Sequence, residues 1–360
     1  GQSLALSSWG ESHGPAIGGI IDGLPPGIPL DINLIQEKLD QRRPGQSSIV
    51  TPRNELDKIR FLSGFFEGKT LGTPLAFIID NQNQNSEDYQ SLKNVFRPGH
   101  ADYAYHKKYG HVDHRGGGRA SARETAIRVA AGSIALQLLH HLLTPALTVR
   151  AALIQLGQKK ISVNIESSTW DWNFVTQNPF FCPDLTVINE WHDYLATIRA
   201  AGKSVGALIE VHANGIPAGL GEPVYDKLDA DLAKALMSIN AVKAVEIGDG
   251  FACVTAETGF DEMALSDNQQ VNFSGNKAGG ILGGISTGQP IVCRIALKPT
   301  SSTTQARNTL TKQLTPTTLA VQGRHDPCVG IRAVPIAEAM VAFTLADHYL
   351  RWRGQCGTIT

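Results

Sequence analysis

The sequence predicts an α+β fold in which two similar halves, roughly 1–150 and 200–355, merge into a single domain over 1–360. Three observations predict it. First, Asp22-Gly23-Leu24-Pro25-Pro26-Gly27-Ile28 and Asn214-Gly215-Ile216-Pro217-Ala218-Gly219-Leu220 share the pattern Asp/Asn-Gly-Leu/Ile-Pro-x-Gly-Ile/Leu. Second, GKTLGTPLAFII at 68–79 and GISTGQPIVCRI at 284–295 echo each other in the same order. Each passes from a Gly/Pro turn into an apolar run, which reads as turn then strand. Third, helical periodicity is strong in both halves.

Taken in order, the apolar run Leu4 to Trp9 reads as a strand delivering Gly10-Glu11-Ser12-His13-Gly14. Leu34 to about Arg42 reads as a helix stopped by Pro44-Gly45. Ser121-Ala122-Arg123-Glu124 fits a reciprocal capping box. Behind it Ile127, Ala130, Ala131, Ile134 and Leu138 recur at helical spacing. A last helix starts near Pro335, which suits a first turn, and stops near Gly354.

Composition narrows the class. The chain has 360 residues, 36 of them glycine, with 18% charged residues and a formal net charge of −1. Average chains hold about 7% Gly and about 25% charged residues. With 42% hydrophobic residues, a disordered polyelectrolyte is excluded. Collagen is excluded because glycine lacks a three-residue period. A sequence pI near 6.9 argues against nucleic-acid binding by bulk charge. Five cysteines, none in a C-x-x-C pair, imply reduced thiols in a cytoplasmic protein. No apolar run is long enough to span a membrane, and Gly1 to Trp9 lacks the features of a signal peptide.

The chemistry concentrates in four stretches. Between Arg97 and Arg128 lie Arg97, Lys107, Lys108, Arg115, Arg119, Arg123 and Arg128 against Asp102, Asp113 and Glu124, together with His100, His106, His111 and His114. Within this stretch Arg115-Gly116-Gly117-Gly118-Arg119 runs toward the capped helix, an expected anion site. Glycine permits close approach, the helix N-terminus offers N–H groups, and arginine binds phosphate or carboxylate in two-point fashion. The second stretch is GESHG at 10–14, where His13 beside glycine is expected exposed at a strand end and suits proton transfer. The third, Gly323-Arg324-His325-Asp326-Pro327-Cys328, joins a cation, a titratable ring and a carboxylate; Cys328 reads as packing. The fourth, Asn276 to Gly284, is a glycine loop without a P-loop ending or a following helix, with Lys298-Pro299-Thr300-Ser301-Ser302 downstream.

With these residues in view, the chain resembles the chorismate synthase family. The likeness rests on GESHG at 10–14, RRPG at 42–45, RPGHADY at 97–103 and RGGGRASARET at 115–125. It continues through SINAVKAVEIGDGF at 238–251, NKAGGILGGISTG at 276–288 and GRHDPCVGIRAVPIAEAM at 323–340, spanning about Leu4 to Arg351. The resemblance implies a β-α-β sandwich with helices between two antiparallel sheets and internal pseudo-two-fold duplication.

It also implies a cytoplasmic homotetrameric lyase of the shikimate pathway. Its substrate would be 5-enolpyruvylshikimate 3-phosphate, eliminated to chorismate and phosphate with reduced FMN as cofactor. By resemblance Arg42, Arg97, Arg123 and Arg324 face the substrate or the flavin edge. Arg119, Ala120, Ser121, Asn240, Ala241, Gly283, Lys298, Pro299, Thr300, Ser301, Ser302 and Arg324 match FMN positions. His13 would protonate the leaving phosphate, His100 would stand by flavin N1, and Asp326 relayed through Ser12 would manage the proton at N5. Ser48, Ala120 and Lys277 depart from the family's usual Arg, Ser and His. The competing readings are a flavin-dependent oxidoreductase using the same pocket and an anion- or RNA-binding protein built on the basic segment. No nicotinamide fingerprint stands out, so an external flavin reductant is expected rather than NADPH used directly.

Overall fold

The computed structural model describes residues 1–43, 56–82, 92–143, 147–162, 167–253, 260–266, 271–301, 303–321 and 326–357. Expectations on Pro44, Gly45, Ser48, Ser302, Gly323, Arg324 and His325 lie outside the described residues.

The N-terminal apolar run forms β1 (Ala5–Trp9), and the GESHG bend returns the chain as β2 (Ala16–Asp22). The first echo motif then leads to α1 (Ile32–Arg42), whose N-cap Asp31 accepts the Asn33 N–H at 2.8 Å. After β3 (Ile59–Ser63) comes a small hairpin of β4 (Phe65–Phe66) and β5 (Lys69–Thr70), then β6 (Leu75–Asp80). The antiparallel sheet runs β1-β2-β6-β3. The half closes with α2 (Asp102–Tyr109) and α3 (Thr125–Leu142).

The second sheet begins with β7 (Thr148–Leu156) and β8 (Lys159–Lys160). Helices α4 (Trp172–Gln177) and α5 (Ile188–Ala200) precede β9 (Ala207–Asn214), α6 (Leu228–Met237) and β10 (Val242–Ile247). Two hairpins follow, β11 (Met263–Leu265) with β12 (Val271–Phe273) and β13 (Ile281–Leu282) with β14 (Ile285–Ser286). The chain ends with β15 (Ile291–Leu297), the hairpin β16 (Arg307–Leu310) and β17 (Pro316–Leu319), and the long α7 (Gly330–Cys356). This sheet runs β10-β15-β9-β7-β8 and is also antiparallel.

The echo motifs occupy matching places. The first pair follows β2 and β9; the second pair leads into β6 and β15. Strand β2 pairs with β6 through Ile17 and Ile79, as β9 pairs with β15 through Ile209 and Ile295. Thus β1-β2-β6-β3 corresponds to β7-β9-β15-β10, with α1 and α3 answered by α6 and α7. Helix α3 packs on β2 and on α7, and α7 packs on β7 and β9, so helices lie between the two sheets. The crossing of α3 and α7 is close: a Cβ on Gly132 would lie 2.5 Å from the Ala339 carbonyl oxygen. This shared apolar interior fuses the halves into one core.

Two local expectations change. Helix α7 starts at Gly330 rather than near Pro335 and continues through the proline to Cys356. Proline removes one backbone donor, yet this part of α7 is buried on the sheet and against α3, so packing outweighs the missing bond. The capping box is not reciprocal. Ser121 accepts the Arg123 N–H at 3.3 Å, while Glu124 reaches forward to Arg128 Nε at 2.9 Å. Two 3-10 turns, Gly118–Ala120 and Ala122–Glu124, therefore separate the glycine run from α3.

Candidate active site

The glycine run is the wall on which the assigned side chains pack. Gly116, Gly117 and Gly118 have φ of 61°, 84° and 52°, a left-handed backbone that side-chain-bearing residues rarely adopt. A Cβ on Gly116 would lie 2.5 Å from Ser12 Oγ and 2.6 Å from His13 Nε2. One on Gly117 would lie 3.0 Å from His100 Cε1 and 3.3 Å from Arg97 Nη2. One on Gly118 would lie 2.6 Å from Glu11 Oε2. The absent side chains let two imidazoles, a hydroxyl, a guanidinium and a carboxylate converge on one loop. Contrary to the expected exposure, His13 is only 3% exposed, because this loop closes over its ring.

Counter-charges hold the cations. Arg97 donates through Nε and Nη2 to Asp102, each at 2.7 Å, and His100 Nδ1 lies 2.6 Å from the same carboxylate. Burial works to raise the Asp102 pKa, but the hydrogen bonds from Arg97 and His100 hold it well below the usual carboxylate range. Arg42, the last residue of α1, donates to Asp57 at 2.6 Å, and Arg123 donates to the other Asp57 oxygen. Burial pushes Asp57 up, and the two arginines outweigh it, keeping the carboxyl below its ordinary value. Arg42 falls to about 10, chiefly through burial, with Arg332 and Arg123 repelling its charge against the attraction of Asp57.

The two clusters are joined. Arg123 Nε donates to Asn81 at 2.8 Å, and Asn81 donates to the carbonyls of Glu11 and Gly14 at 3.1 and 2.8 Å. Arg119 donates to the Gly10 carbonyl at 3.0 Å and to Ser8 Oγ at 2.6 Å. Arg97, Arg119, Arg123 and Arg128 are drawn inward by internal partners, while Lys107 and Lys108 remain exposed and Arg115 is half-buried.

Most residues matched to FMN meet here. Asn240 donates to the Ala120 carbonyl at 3.0 Å, and its Oδ1 is buried without a hydrogen-bond partner. Ala241, with φ of 70°, accepts the Lys298 N–H at 2.9 Å. Lys298 Nζ binds the Gly99 carbonyl, and Ser301 lies against Gly99. Pro299 packs toward Gly206, and Thr300 Oγ1 donates to the Asp326 carbonyl at 3.2 Å. The Asp326 carboxylate accepts from Arg332 at 2.7 Å. Arg42, Asn240, Asp326 and Arg332 line one cavity, and Glu11, Tyr105, His114, Gly117 and Arg119 line an open cleft.

Gly283 is apart. It sits at the tip of the β13–β14 hairpin, where neighbouring Gly284 accepts the Leu228 N–H at the start of α6. In the fourth stretch the Lys277 and Ala278 N–H groups donate to Asp261 at 3.0 and 3.1 Å, so a protein carboxylate already fills that backbone nest. Cys328 is buried and its thiol is pushed up to about 12 by burial, which suits packing and not reactivity. Asp57, Asn81 and Arg332 are not marked out by the sequence, and Asp102 is marked only as a counter-charge of the basic stretch. Asp102 and Arg332 lie inside quoted motifs; Asp57 and Asn81 carry no local signal, because their partners are remote in the chain.

Known proteins resemble this chain over nearly its whole length. A profile described as chorismate synthase matches residues 4–350. Chorismate synthase of Rhodospirillum rubrum is 56% identical over 359 residues, covering 99% of this chain and 97% of that protein. That of Caulobacter vibrioides is 54% identical over 365 residues, covering 99% and 96%. A crystal structure of chorismate synthase superposes with a TM-score of 0.77 at 29% identity, covering 98% of this chain and 93% of the other. By fold and sequence alike, the chain belongs to the chorismate synthase family, enzymes with a lyase role in aromatic biosynthesis.

Proposed function

We propose that the enzyme converts 5-enolpyruvylshikimate 3-phosphate to chorismate and inorganic phosphate by trans-1,4 elimination, with reduced FMN as cofactor. The observation that carries this reading is the Gly116–Gly118 wall, which gathers Ser12, His13, Arg97 and His100 on one surface. Such a substrate brings a phosphate and two carboxylates, and arginine is the suitable counter-charge. Arg42, Arg97 and Arg123, with Arg324, neutralise and orient those anions. His13 delivers a proton to the departing phosphate oxygen. His100, with Asp102 against Nδ1, presents its Nε2 edge toward the Gly117 face and serves the flavin N1 side. Asp326, held by Arg332, handles the proton at flavin N5 with Ser12.

The donor set fits the flavin. Asn240 Oδ1, buried and without a partner, is an acceptor for a ring N–H. Lys298 and the hydroxyls of Thr300 and Ser301 suit the phosphate and ring carbonyls, alongside Arg119, Ala120, Ser121, Ala241, Gly283, Pro299, Ser302 and Arg324. When bound, reduced FMN supplies electron density to the breaking allylic C–O bond, and the protein's part is binding, orientation and proton control. We further place the enzyme in the cytoplasm as a homotetramer fed by an external flavin reductant. Its five unpaired cysteines accord with a reducing compartment, and among the described residues no helix is long and apolar enough to cross a membrane.

The test is an anaerobic assay with dithionite-reduced FMN, following chorismate by absorbance and phosphate release in parallel. Equal amounts of both, without stoichiometric flavin oxidation, are expected. Flavin oxidised in step with product would overturn the lyase mechanism in favour of an oxidoreductase. His13→Ala and His100→Ala should each lower turnover by about 100-fold; near wild-type rates in both would remove their roles. A parallel run with NADPH alone tests the external reductant.

A further inference from the structure

Asp57 is the centre of the arginine cluster, and no motif points to it. Its side chain is fully buried, as nearly are those of Arg42 and Arg123. Its backbone is left-handed at φ 45°, a conformation uncommon outside glycine though tolerated by aspartate. Local strain of this kind persists where the surroundings over-determine it.

The two arginines come from different elements, α1 and the 3-10 turn before α3. Arg42 Nη1 also donates to the Ala122 carbonyl and Thr125 Oγ1, both at 3.2 Å, while its Nε is buried without a hydrogen-bond partner. Arg332 Nε donates to the Arg42 carbonyl at 3.1 Å, adding a third cation nearby. Without a carboxylate at this point, buried guanidinium groups would face one another uncompensated, which is strongly unfavourable.

We propose that Asp57 is a positioning residue: it clamps Arg42 and Arg123 side by side and charged, setting the geometry with which they meet the substrate's anionic groups. This rests on the assignment of both arginines to the substrate. The depressed Asp57 pKa accords with a carboxylate that stays ionised throughout.

The test is Asp57→Asn, nearly isosteric but uncharged, whose amide must turn a donor toward one guanidinium. Two quantities are read: calorimetric affinity of the flavin-free protein for 5-enolpyruvylshikimate 3-phosphate, and the KM and kcat of the FMN-loaded enzyme. A folded Asp57→Asn protein is expected to lose about tenfold or more in affinity and KM, the weight of a charge-assisted hydrogen bond, with kcat changed far less. The double variant Asp57→Asn/Arg42→Met removes charge and partner together and keeps the test open should the single variant not fold. Because Asp57 acts through both Arg42 and Arg123, the double variant should be weaker than Arg42→Met alone by clearly less than the Asp57→Asn factor. Folded Asp57→Asn with wild-type affinity and KM overturns the proposal. So does a double variant weaker than Arg42→Met by the full Asp57→Asn factor. Wild-type protein that binds inorganic phosphate but not the enolpyruvyl substrate instead overturns the substrate reading, and the Asp57 comparison is then read on phosphate.

Discussion

The two glycine loops, 115–119 and 276–284, share a composition and differ in what approaches them. Both combine consecutive glycines with a neighbouring cation. At Gly116–Gly118 the neighbours are polar side chains, two imidazoles, a guanidinium, a hydroxyl and a carboxylate. At Gly279 and Gly280 of the second loop they are the protein's own backbone: a Cβ on Gly279 would lie 2.7 Å from Gly248 Cα, and one on Gly280 2.6 Å from the Pro290 carbonyl oxygen. Its N–H donors are already held by Asp261. Glycine thus reports that something comes close; only the tertiary structure says whether that is chemistry or scaffold.

Substitutions can break this contrast. The largest effect is expected for Gly116→Ala, which combines a strained φ with a collision at Ser12 and His13. Turnover should fall about 100-fold, as displacements near 1 Å in a site can cause, with fold retained by circular dichroism. A nearly active variant would show that the wall does not set the site. Next is Asp261→Ala in the second loop, which strips two backbone donors of their acceptor. It should cost about 1–3 kcal/mol in urea unfolding while leaving the kcat of the loaded enzyme close to wild type; a collapse of kcat with unchanged stability would erase the distinction between the loops.

The smallest effect is on acid stability. Asp57 and Asp102 have depressed folded pKa values, so their contribution is fully present above the unfolded value of about 3.9 and is lost as pH falls through the folded values. The urea midpoint should fall as pH drops below about 4, and less steeply in Asp102→Asn. Identical pH profiles for the variant and the wild type would contradict that pairing.

Much of the fold was legible. The second echo located β6 and β15, because a turn needing glycine and proline before an apolar run is a local constraint. The start of α7 and the form of the Ser121 cap were not, since packing across two sheets and the pull of Arg128 on Glu124 overrode local preference. Within the site, His13, His100, Arg97 and Arg123 stood out by residue type and motif. The burial of His13 did not, because the glycine that closes over it lies about a hundred residues away.

The sequence by itself determined which reactive groups are present, where the backbone must bend, and that two echo motifs recur in the same order. The tertiary structure decided which carboxylate answers which cation. Arg42, Asp57, Arg123 and Arg332 are distant in the chain, and their pairing exists only where folding removes water and leaves each charge dependent on its nearest partner.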